Sequence, residues 1–371
     1  MALIGRAAVE VPVLFTSARS TTNVIRLLEV MEKAGADRPA EELSRRIVAH
    51  ASFDDATSVI RLLEAMRKAG AVEQAMALAE QAAVHLPVSG AVTMARLLEE
   101  MYRVGAMEQA TVLAARVVVN TPVRDPGAMV ELLEALRIGG MDRPTVLLSG
   151  RITGHTAIVD AATTVRLLSL MLDAGVEGAA SRFAARAAAH GPVHDTTSVA
   201  RLLVLMRRSG MARQSKTLAG RVVAATSLQR ATDVICLLDA MRDEGMRKHA
   251  EALVERVAEG MPVTEVTDVA RLLEAMSHAG MTEQASVLAE RAAAYAPARD
   301  AGDVAVVLNA LKGIAAHEEA ERYAGRVIAE VSGSGPATVA PFWYVMRSAG
   351  MPTRALELAQ RSDEAERADG H

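Results

Sequence analysis

The chain has 371 residues, and its formal net charge of −4 gives it no overall attraction to nucleic acid or to an anionic membrane. A single cysteine excludes an internal disulfide framework and indicates a reducing compartment. No run of about 18 apolar residues is present, and Arg6 and Glu10 interrupt the apolar start, so we predict neither a membrane span nor a signal peptide. We therefore expect a cytoplasmic protein, and the abundance of Ala and Arg favours a bacterial source.

One short block recurs every 35 residues along the chain. It reads RLLEVM at Arg26 and RLLEAM at Arg61, and a glycine follows nine residues after each start, except at Ala315. A fixed period between 20 and 50 residues indicates an architecture of stacked repeats. The clear copies start at Arg26, Arg61, Arg96, Glu131, Arg166, Arg201, Cys236 and Arg271, and the weaker copies start at Val306 and Pro341.

The unit from 55 to 87 predicts a pair of helices. Asp55 offers an N-cap oxygen, and the apolar side chains at 59, 62, 63 and 66 then share one helical face. Gly70 ends this helix as a residue of positive φ, and a second helix begins near Val72 and stops before Pro87. A single hairpin cannot bury both faces of its helices, so such units are stable only as an array.

The sequence therefore predicts an all-α fold, an α-solenoid of about ten 35-residue helix-turn-helix repeats stacked in a superhelix. Residues 1–19 resemble the end of a second helix and are interpreted as an N-terminal half-repeat cap and linker. Residues 20–334 hold nine helical hairpins, and residues 335–371 form a divergent terminal repeat with an aromatic cluster and a polar tail.

The segment LLEAMRKAG, from Leu62 to Gly70, has two aliphatic residues, an acid, a small residue, an aliphatic residue and a closing Lys-Ala-Gly. With Ala75 and the period of 35, it resembles the first-helix pattern of the pentatricopeptide repeat family. The tetratricopeptide family shares the glycine, alanine and proline offsets, usually at a period of 34. The resemblance covers nearly the whole chain and implies an α-solenoid scaffold.

Pentatricopeptide arrays bind single-stranded RNA, and the resemblance implies that a polar residue early in the first helix and another at the unit boundary read one base per repeat. The early position is apolar in nine repeats of this chain, from Ile25 to Ala305, and cannot hydrogen-bond a base edge. The boundary position holds aspartates that a helix cap explains equally well. These aspartates are Asp55, Asp125, Asp160, Asp195 and Asp300.

A column of arginine and glutamate on the predicted first helices is the main candidate for a partner-binding surface. In four of the repeats a glutamate stands three residues after the arginine, as Glu29, Glu64, Glu99 and Glu274, and we expect such pairs to satisfy each other on the helix surface. In its first nine copies this face has no aromatic side chain on which a base could stack, so the mixed charge favours a protein partner. The candidate residues are Arg61, Glu64, Arg96, Glu99, Arg166, Arg201 and Arg271.

A second column of arginine lies near the end of the predicted second helices. A row of guanidinium groups could hold phosphates or an acidic partner. The favoured alternative is structural: the arginine stem covers the seam between repeats, and the charged group pairs with acids of the adjacent unit near a helix C-terminus. The candidate phosphate ligands are Arg116, Arg151, Arg186, Arg221, Arg256 and Arg291.

Phe342, Trp343 and Tyr344 stand together in the last unit, where the other units have aliphatic residues. They either close the core as a terminal cap, which is the favoured interpretation, or anchor a partner. Two columns of methionine, with Leu at helical spacing, predict hairpin core. Histidines at 50, 85, 155 and 190 are predicted to lie roughly 10 Å apart, one helix layer, which is too far to share a metal ion.

These patterns predict a non-enzymatic scaffold that binds another protein, or a second copy of itself, through its concave face or its ends. The alternative is single-stranded RNA binding of the pentatricopeptide type, with the arginine columns contacting phosphates. No phosphate-binding loop, zinc-protease motif or nucleophile elbow is present, and we expect no cofactor or metal.

Overall fold

The computed structural model describes residues 18–243, 245–332 and 336–369, which form twenty α-helices and no strand. The fold is all-α and of the α-solenoid class that the 35-residue period predicts. The chain divides into two units, 1–191 and 192–371, and each described unit holds five helical hairpins. We number the helices in chain order, so odd numbers are first helices of a repeat and even numbers are second helices.

Helices α1 to α10 build the first unit. Each first helix packs against the first helix of the next repeat, each second helix against the next second helix, and the two helices of a hairpin against each other. Two layers of helices result, with the core between them. The helices are α1 Ala18–Lys33, α2 Asp37–His50, α3 Ala56–Lys68, α4 Val72–His85, α5 Ala91–Val104, α6 Met107–Asn120, α7 Pro126–Ile138, α8 Asp142–His155, α9 Ala161–Asp173 and α10 Glu177–His190.

Helices α11 to α20 build the second unit in the same way, with one layer of first helices and one of second helices. The last helix continues to Asp369, through the polar tail. The helices are α11 Thr196–Arg208, α12 Ala212–Ala225, α13 Ala231–Asp243, α14 Arg247–Gly260, α15 Val266–His278, α16 Thr282–Tyr295, α17 Ala301–Gly313, α18 His317–Val331, α19 Pro336–Ser348 and α20 Pro352–Asp369.

Five first helices begin at the predicted aspartate caps. The Asp55 carboxylate accepts hydrogen bonds from the backbone N–H groups of Thr57 at 3.1 Å and Ser58 at 3.0 Å, so it satisfies two donors that the helix leaves unpaired. These bonds and one from the Ser58 hydroxyl lower the pKa of Asp55. The other four boundary aspartates also accept backbone N–H groups as caps: Asp125, Asp160, Asp195 and Asp300.

Every first helix ends in the same turn. In α3, the N–H of Ala71 donates to the Met66 carbonyl and the N–H of Gly70 to the Arg67 carbonyl, which is the Schellman arrangement. Gly70 has a φ of +75°, as predicted. Ala315 replaces the glycine in the ninth repeat and keeps the turn at a φ of +61°, a region that costs an L-residue about 1–2 kcal/mol.

The core lies between the two layers and is aliphatic. The methionine column near the ends of the first helices is fully buried, as Met66 and Met206 show, which confirms the prediction of hairpin core. Second helices present small residues to the core, among them Ala75, Ala79 and Ala82 of α4. Small side chains let neighbouring helices approach closely, which suits a stacked array.

The two ends of the array differ in what the structure describes. The predicted half-repeat cap at 1–19 lies almost entirely outside the described residues, and only its last two residues belong to α1. In the terminal repeat, α19 passes through Pro341 without a break, although proline removes one backbone donor inside a helix.

Candidate partner-binding surface

The predicted arginine and glutamate columns lie on the outer side of the first-helix layer, which we call the first-helix face. In the first unit it consists of the arginines at 61, 96 and 166, and in the second unit of those at 201 and 271, each with the residue three positions later. All five arginines are exposed. Arg166 donates to Glu134 of the preceding repeat at 3.0 Å, and Arg61 lies 3.5 Å from the Thr22 hydroxyl. Among the described residues, Arg96, Arg201 and Arg271 make no hydrogen bond or ion pair, so their guanidinium groups are available to a partner.

The predicted pairing of Glu64 and Glu99 with the arginine three residues earlier is wrong. Glu64 instead accepts from Lys68 at 2.7 Å, and Glu99 lies 3.5 Å from Arg103. An acid that precedes a base by four residues on a helix is the better-oriented pair, which explains the outcome. The bond from Lys68 lowers the pKa of Glu64 and raises that of Lys68.

One acidic side chain of this layer is buried, which the sequence reasoning missed. Glu100 is 3% exposed and accepts from Arg67 of the preceding first helix at 2.8 Å and from Arg103 at 3.0 Å. Alanine stands at the same place in two neighbouring repeats, as Ala65 and Ala135. A single acid at a position where the neighbouring repeats have a small residue is the sequence signal that could have indicated this burial. A buried carboxylate needs such partners, because an unpaired charge in a protein interior is costly.

The second-helix arginines bind backbone carbonyls of the preceding repeat. Arg116 donates to the carbonyls of Ala83 at 2.6 Å and Leu86 at 2.8 Å, which lie at the end of α4. The sequence predicts that these arginines pair with acids of the adjacent unit. The arginines bind carbonyls at the helix C-terminus instead, and these carbonyls have no partner within their own helix. The same contact joins Arg151 to Val118, Arg186 to Thr153 and Thr156, Arg256 to Val223, Arg291 to Ala258 and Met261, and Arg326 to Ala293 and Ala296.

These contacts bear on the phosphate hypothesis. Arg116, Arg186 and Arg291 are half-buried, and each directs two nitrogen atoms at carbonyl oxygens. Arg221, in the same column, also has an interaction partner. A phosphate would have to displace charge-assisted hydrogen bonds that also stabilise the helix C-terminus. The geometry therefore favours a role for this column in joining repeats.

The aromatic cluster of the last unit is divided between core and solvent. Phe342 is buried, whereas Tyr344 is 71% exposed. The Trp343 ring is half-buried, lies 6.0 Å from the Tyr344 ring, and carries the Arg347 guanidinium 5.2 Å from its centre. Phe342 therefore belongs to the core, whereas Tyr344 is accessible to solvent.

An uncharged surface on the second-helix layer of the first unit was not predicted. Val119 of α6 and Leu147 of α8 are 66% and 58% exposed. Gly150 and Gly154 follow on α8, and a Cβ added at either position would meet nothing within 4 Å. We call this the α6–α8 face; its further exposed aliphatic residues are Val112 and Val146.

A groove of about 420 Å³ lies between α11 and α13 in the second unit. Val204 and Leu205 form part of its floor, and Arg201, Arg208 and Asp239 line it. Cys236 also lines the groove, and burial raises the pKa of its thiol, so the reactive thiolate form is disfavoured.

A larger cavity of about 500 Å³ in the second unit is lined by Ser277, Ser286, His317 and Glu319, residue types that catalysis uses. Within the described residues, no hydrogen bond joins either serine to His317, and Glu319 is paired with Arg322 at 2.9 Å. Such a bond is what activates a nucleophile through its base, and the described side chains show none in this cavity.

Two properties of the described residues bear on the sequence predictions. No cluster of three or more His, Cys, Asp or Glu side chains suited to a metal ion occurs among the residues that the structure describes. Over the same ranges, every helix is too short or too polar to cross a bilayer.

Ten hairpins at a period of 35 residues make the chain a pentatricopeptide- and tetratricopeptide-like helical-repeat array. No protein-family model matches the sequence, and no curated protein is significantly similar to it.

Several solved structures share the helical architecture. The pentatricopeptide repeat protein PPR10 from maize has 16% identity and a TM-score of 0.29; the alignment covers 98% of this chain and 58% of PPR10, so the chain spans less than two thirds of that protein's length. Ton1535 from Thermococcus onnurineus NA1 has 11% identity and a TM-score of 0.27, over 92% of this chain and 99% of that one. The assembly chaperone of RpL4 (Acl4) has 15% identity and a TM-score of 0.20, over 84% and 99%. At these values the likeness concerns the fold alone.

Proposed function

We propose that this chain is a non-enzymatic helical-repeat scaffold that binds another protein through the first-helix face. The observation that carries the proposal is the contrast between the two arginine columns. The second-helix arginines are engaged with backbone carbonyls, whereas Arg96, Arg201 and Arg271 are exposed and have no polar partner among the described residues. Exposed charges of both signs in fixed rows suit recognition of a protein with complementary charges.

The experiment is affinity purification from the native host with matched charge reversals. One variant carries Arg61→Glu, Arg96→Glu and Arg166→Glu on the first-helix face. The control carries Arg143→Glu, Arg182→Glu and Arg213→Glu, three exposed arginines of second helices. We expect a protein that copurifies with the wild type and the control and is lost from the first-helix variant. Equal recovery with both variants would refute the proposal.

Single-stranded RNA is the alternative ligand, and the same purification tests it by sequencing any bound RNA. If RNA binds through phosphates, its affinity should fall by about 0.7 log units per log unit of salt for each contact. Steep salt dependence of this kind, with loss of binding in an Arg186→Gln, Arg221→Gln and Arg256→Gln variant that stays folded, would favour RNA over a protein partner.

Self-association through the α6–α8 face is a second candidate function. Exposed aliphatic side chains gathered on one surface are typical of interaction sites. Gly150 and Gly154 each cost about 1 kcal/mol of helix stability relative to alanine, and their open surroundings would let another helix approach closely. Light scattering over a range of concentrations should then show a dimer that Val119→Glu with Leu147→Glu converts to a monomer, whereas Leu356→Glu, on an exposed residue of the second unit, leaves it intact.

A further inference from the structure

The sixth repeat differs in charge from the rest of the chain. Residues 196–230 contain no Asp or Glu, although the whole chain has a net charge of −4. Within the repeat every charged side chain is therefore basic, and the nearby acids belong to its neighbours: Asp195 precedes α11, and Asp233 and Asp239 lie on α13. The basic residues of the repeat are Arg201, Arg207, Arg208, Arg213, Lys216, Arg221 and Arg230.

The first-helix face is also less polar in this repeat. The position of Glu64 and Glu274 is occupied by Val204, and the position of Ala65 by Leu205. Both side chains are half-buried and line the groove between α11 and α13, where Ala200 and Ala240 complete an apolar floor. An apolar floor between two helices is the kind of groove that receives the apolar side of an amphipathic helix.

The walls of the groove carry the charge. Arg201 is exposed and makes no hydrogen bond or ion pair within the described part of the chain. Arg208, which has an interaction partner of its own, is also exposed and lies seven residues later on the same side of α11. Asp239 on the opposite wall lies 3.8 Å from Arg242, an exposed pair of little energetic weight. The groove residues include no aromatic side chain, so nothing in it offers a base a stacking surface.

We propose that the groove between α11 and α13 binds an acidic amphipathic helix of a partner protein. Val204 and Leu205 contact its apolar side chains, and Arg201 and Arg208 pair with its carboxylates. The 13 residues of α11 span about 20 Å, so the groove accommodates roughly three to four turns of a helix. This inference rests on the proposed function, because it names the chemistry of the partner that one part of the first-helix face would hold.

The test uses two fluorescein-labelled 14-residue peptides that share leucines at i, i+3, i+4 and i+7. The remaining positions are mainly glutamate in one peptide and lysine in the other. Fluorescence anisotropy with the full chain should show binding of the glutamate peptide, at least tenfold weaker in the Arg201→Glu and Arg208→Glu double variant. The Arg143→Glu and Arg182→Glu double variant, which makes the same change of charge at exposed positions of second helices, should bind like the wild type.

The single cysteine reports where the peptide binds. Because Cys236 lines the groove, the glutamate peptide should slow its modification by iodoacetamide in the wild type and not in the double variant. Circular dichroism and the thermal midpoint establish that each variant is folded.

The inference is overturned if the glutamate peptide binds the wild type and the double variant with equal affinity, or if the lysine peptide binds as well as the glutamate peptide. Unchanged modification of Cys236 in the presence of the glutamate peptide would also overturn it. So would binding of labelled U14 RNA, in place of the peptide, that depends on the groove. A dimer of the chain that the double variant abolishes would identify a second copy as the occupant and would also refute it. If the native partner depends on the first-helix face but the peptide does not bind, this inference fails alone and the proposed function stands.

Discussion

The ring of Tyr102 covers Gly139. The two residues come from successive first helices, α5 and α7, and a Cβ at position 139 would stand 2.1 Å from the tyrosine Cζ atom. The Tyr102 hydroxyl lies 3.2 Å from the Met141 sulfur, and burial raises the pKa of this tyrosine to about 12. Gly139 has a right-handed backbone that any residue can adopt, so glycine is required here for space alone.

Gly139→Ala should therefore destabilise the protein by about 1–3 kcal/mol, the usual cost of overpacking. The urea midpoint measures this change, and Tyr102→Leu in the same chain should restore most of the loss. Gly150→Ala is the matched control, since nothing lies near its added methyl group, and it should stabilise by up to about 1 kcal/mol. A Gly139→Ala protein as stable as the wild type would contradict the contact.

The arginine column should contribute to stability through its carbonyl contacts. Arg116→Gln should cost about 1–3 kcal/mol, because it removes charge-assisted bonds and leaves the carbonyls of Ala83 and Leu86 without a donor. Thermal and urea unfolding measure the loss. Arg96→Gln, at an exposed position without a polar partner, should change stability by less than about 0.5 kcal/mol.

The second repeat allows the opposite change. Gln81 occupies the arginine column of α4, and the corresponding carbonyls belong to Val48 and Ala51 at the end of α2. Gln81→Arg should add the missing contact and raise the free energy of unfolding by about 1 kcal/mol. If the urea midpoint falls instead, the arginine contacts in the other repeats are not the source of their stability.

The turn at Ala315 should tolerate glycine better than alanine. Ala315 holds a φ of +61°, so Ala315→Gly removes backbone strain. Glycine loses more conformational entropy on folding, which offsets part of this gain, and the free energy of unfolding should rise by about 0.5–1 kcal/mol. Gly280→Ala makes the reverse change in the neighbouring repeat and should cost about 1 kcal/mol. The two urea midpoints should move in opposite directions.

The Asp55 cap should give a pH-dependent contribution to stability. The folded-state pKa of Asp55 lies below its ordinary value of 3.8, so the contribution is present above that value and is lost as the pH falls through the folded pKa. Asp55→Ala should therefore cost about 1 kcal/mol at pH 7, and less below pH 4. Asp55→Asn, which keeps an acceptor oxygen, should lose much less at pH 7, and urea unfolding at both pH values measures the difference.

Local patterns in the sequence determined the repeat, the helices and their ends. The Asp55 carboxylate caps its own helix by accepting from Ser58, three residues later, and the N–H of Gly70 donates to the carbonyl of Arg67, three residues earlier. Both partners of each bond therefore lie in one short stretch of the chain. The charge of each repeat taken separately also identifies the sixth repeat as basic from the sequence alone.

Only the tertiary structure decided which groups remain available. Arg116 and Arg96 look alike as columns in the sequence, yet Arg116 binds carbonyls 30 and 33 residues earlier while Arg96 stays exposed. The burial of Glu100 and the contact of Tyr102 with Gly139 likewise depend on how one repeat stacks on the next. A period fixes which residues recur, but a side chain acquires its partner from a neighbouring helix, and the distance and direction to that helix are set by packing.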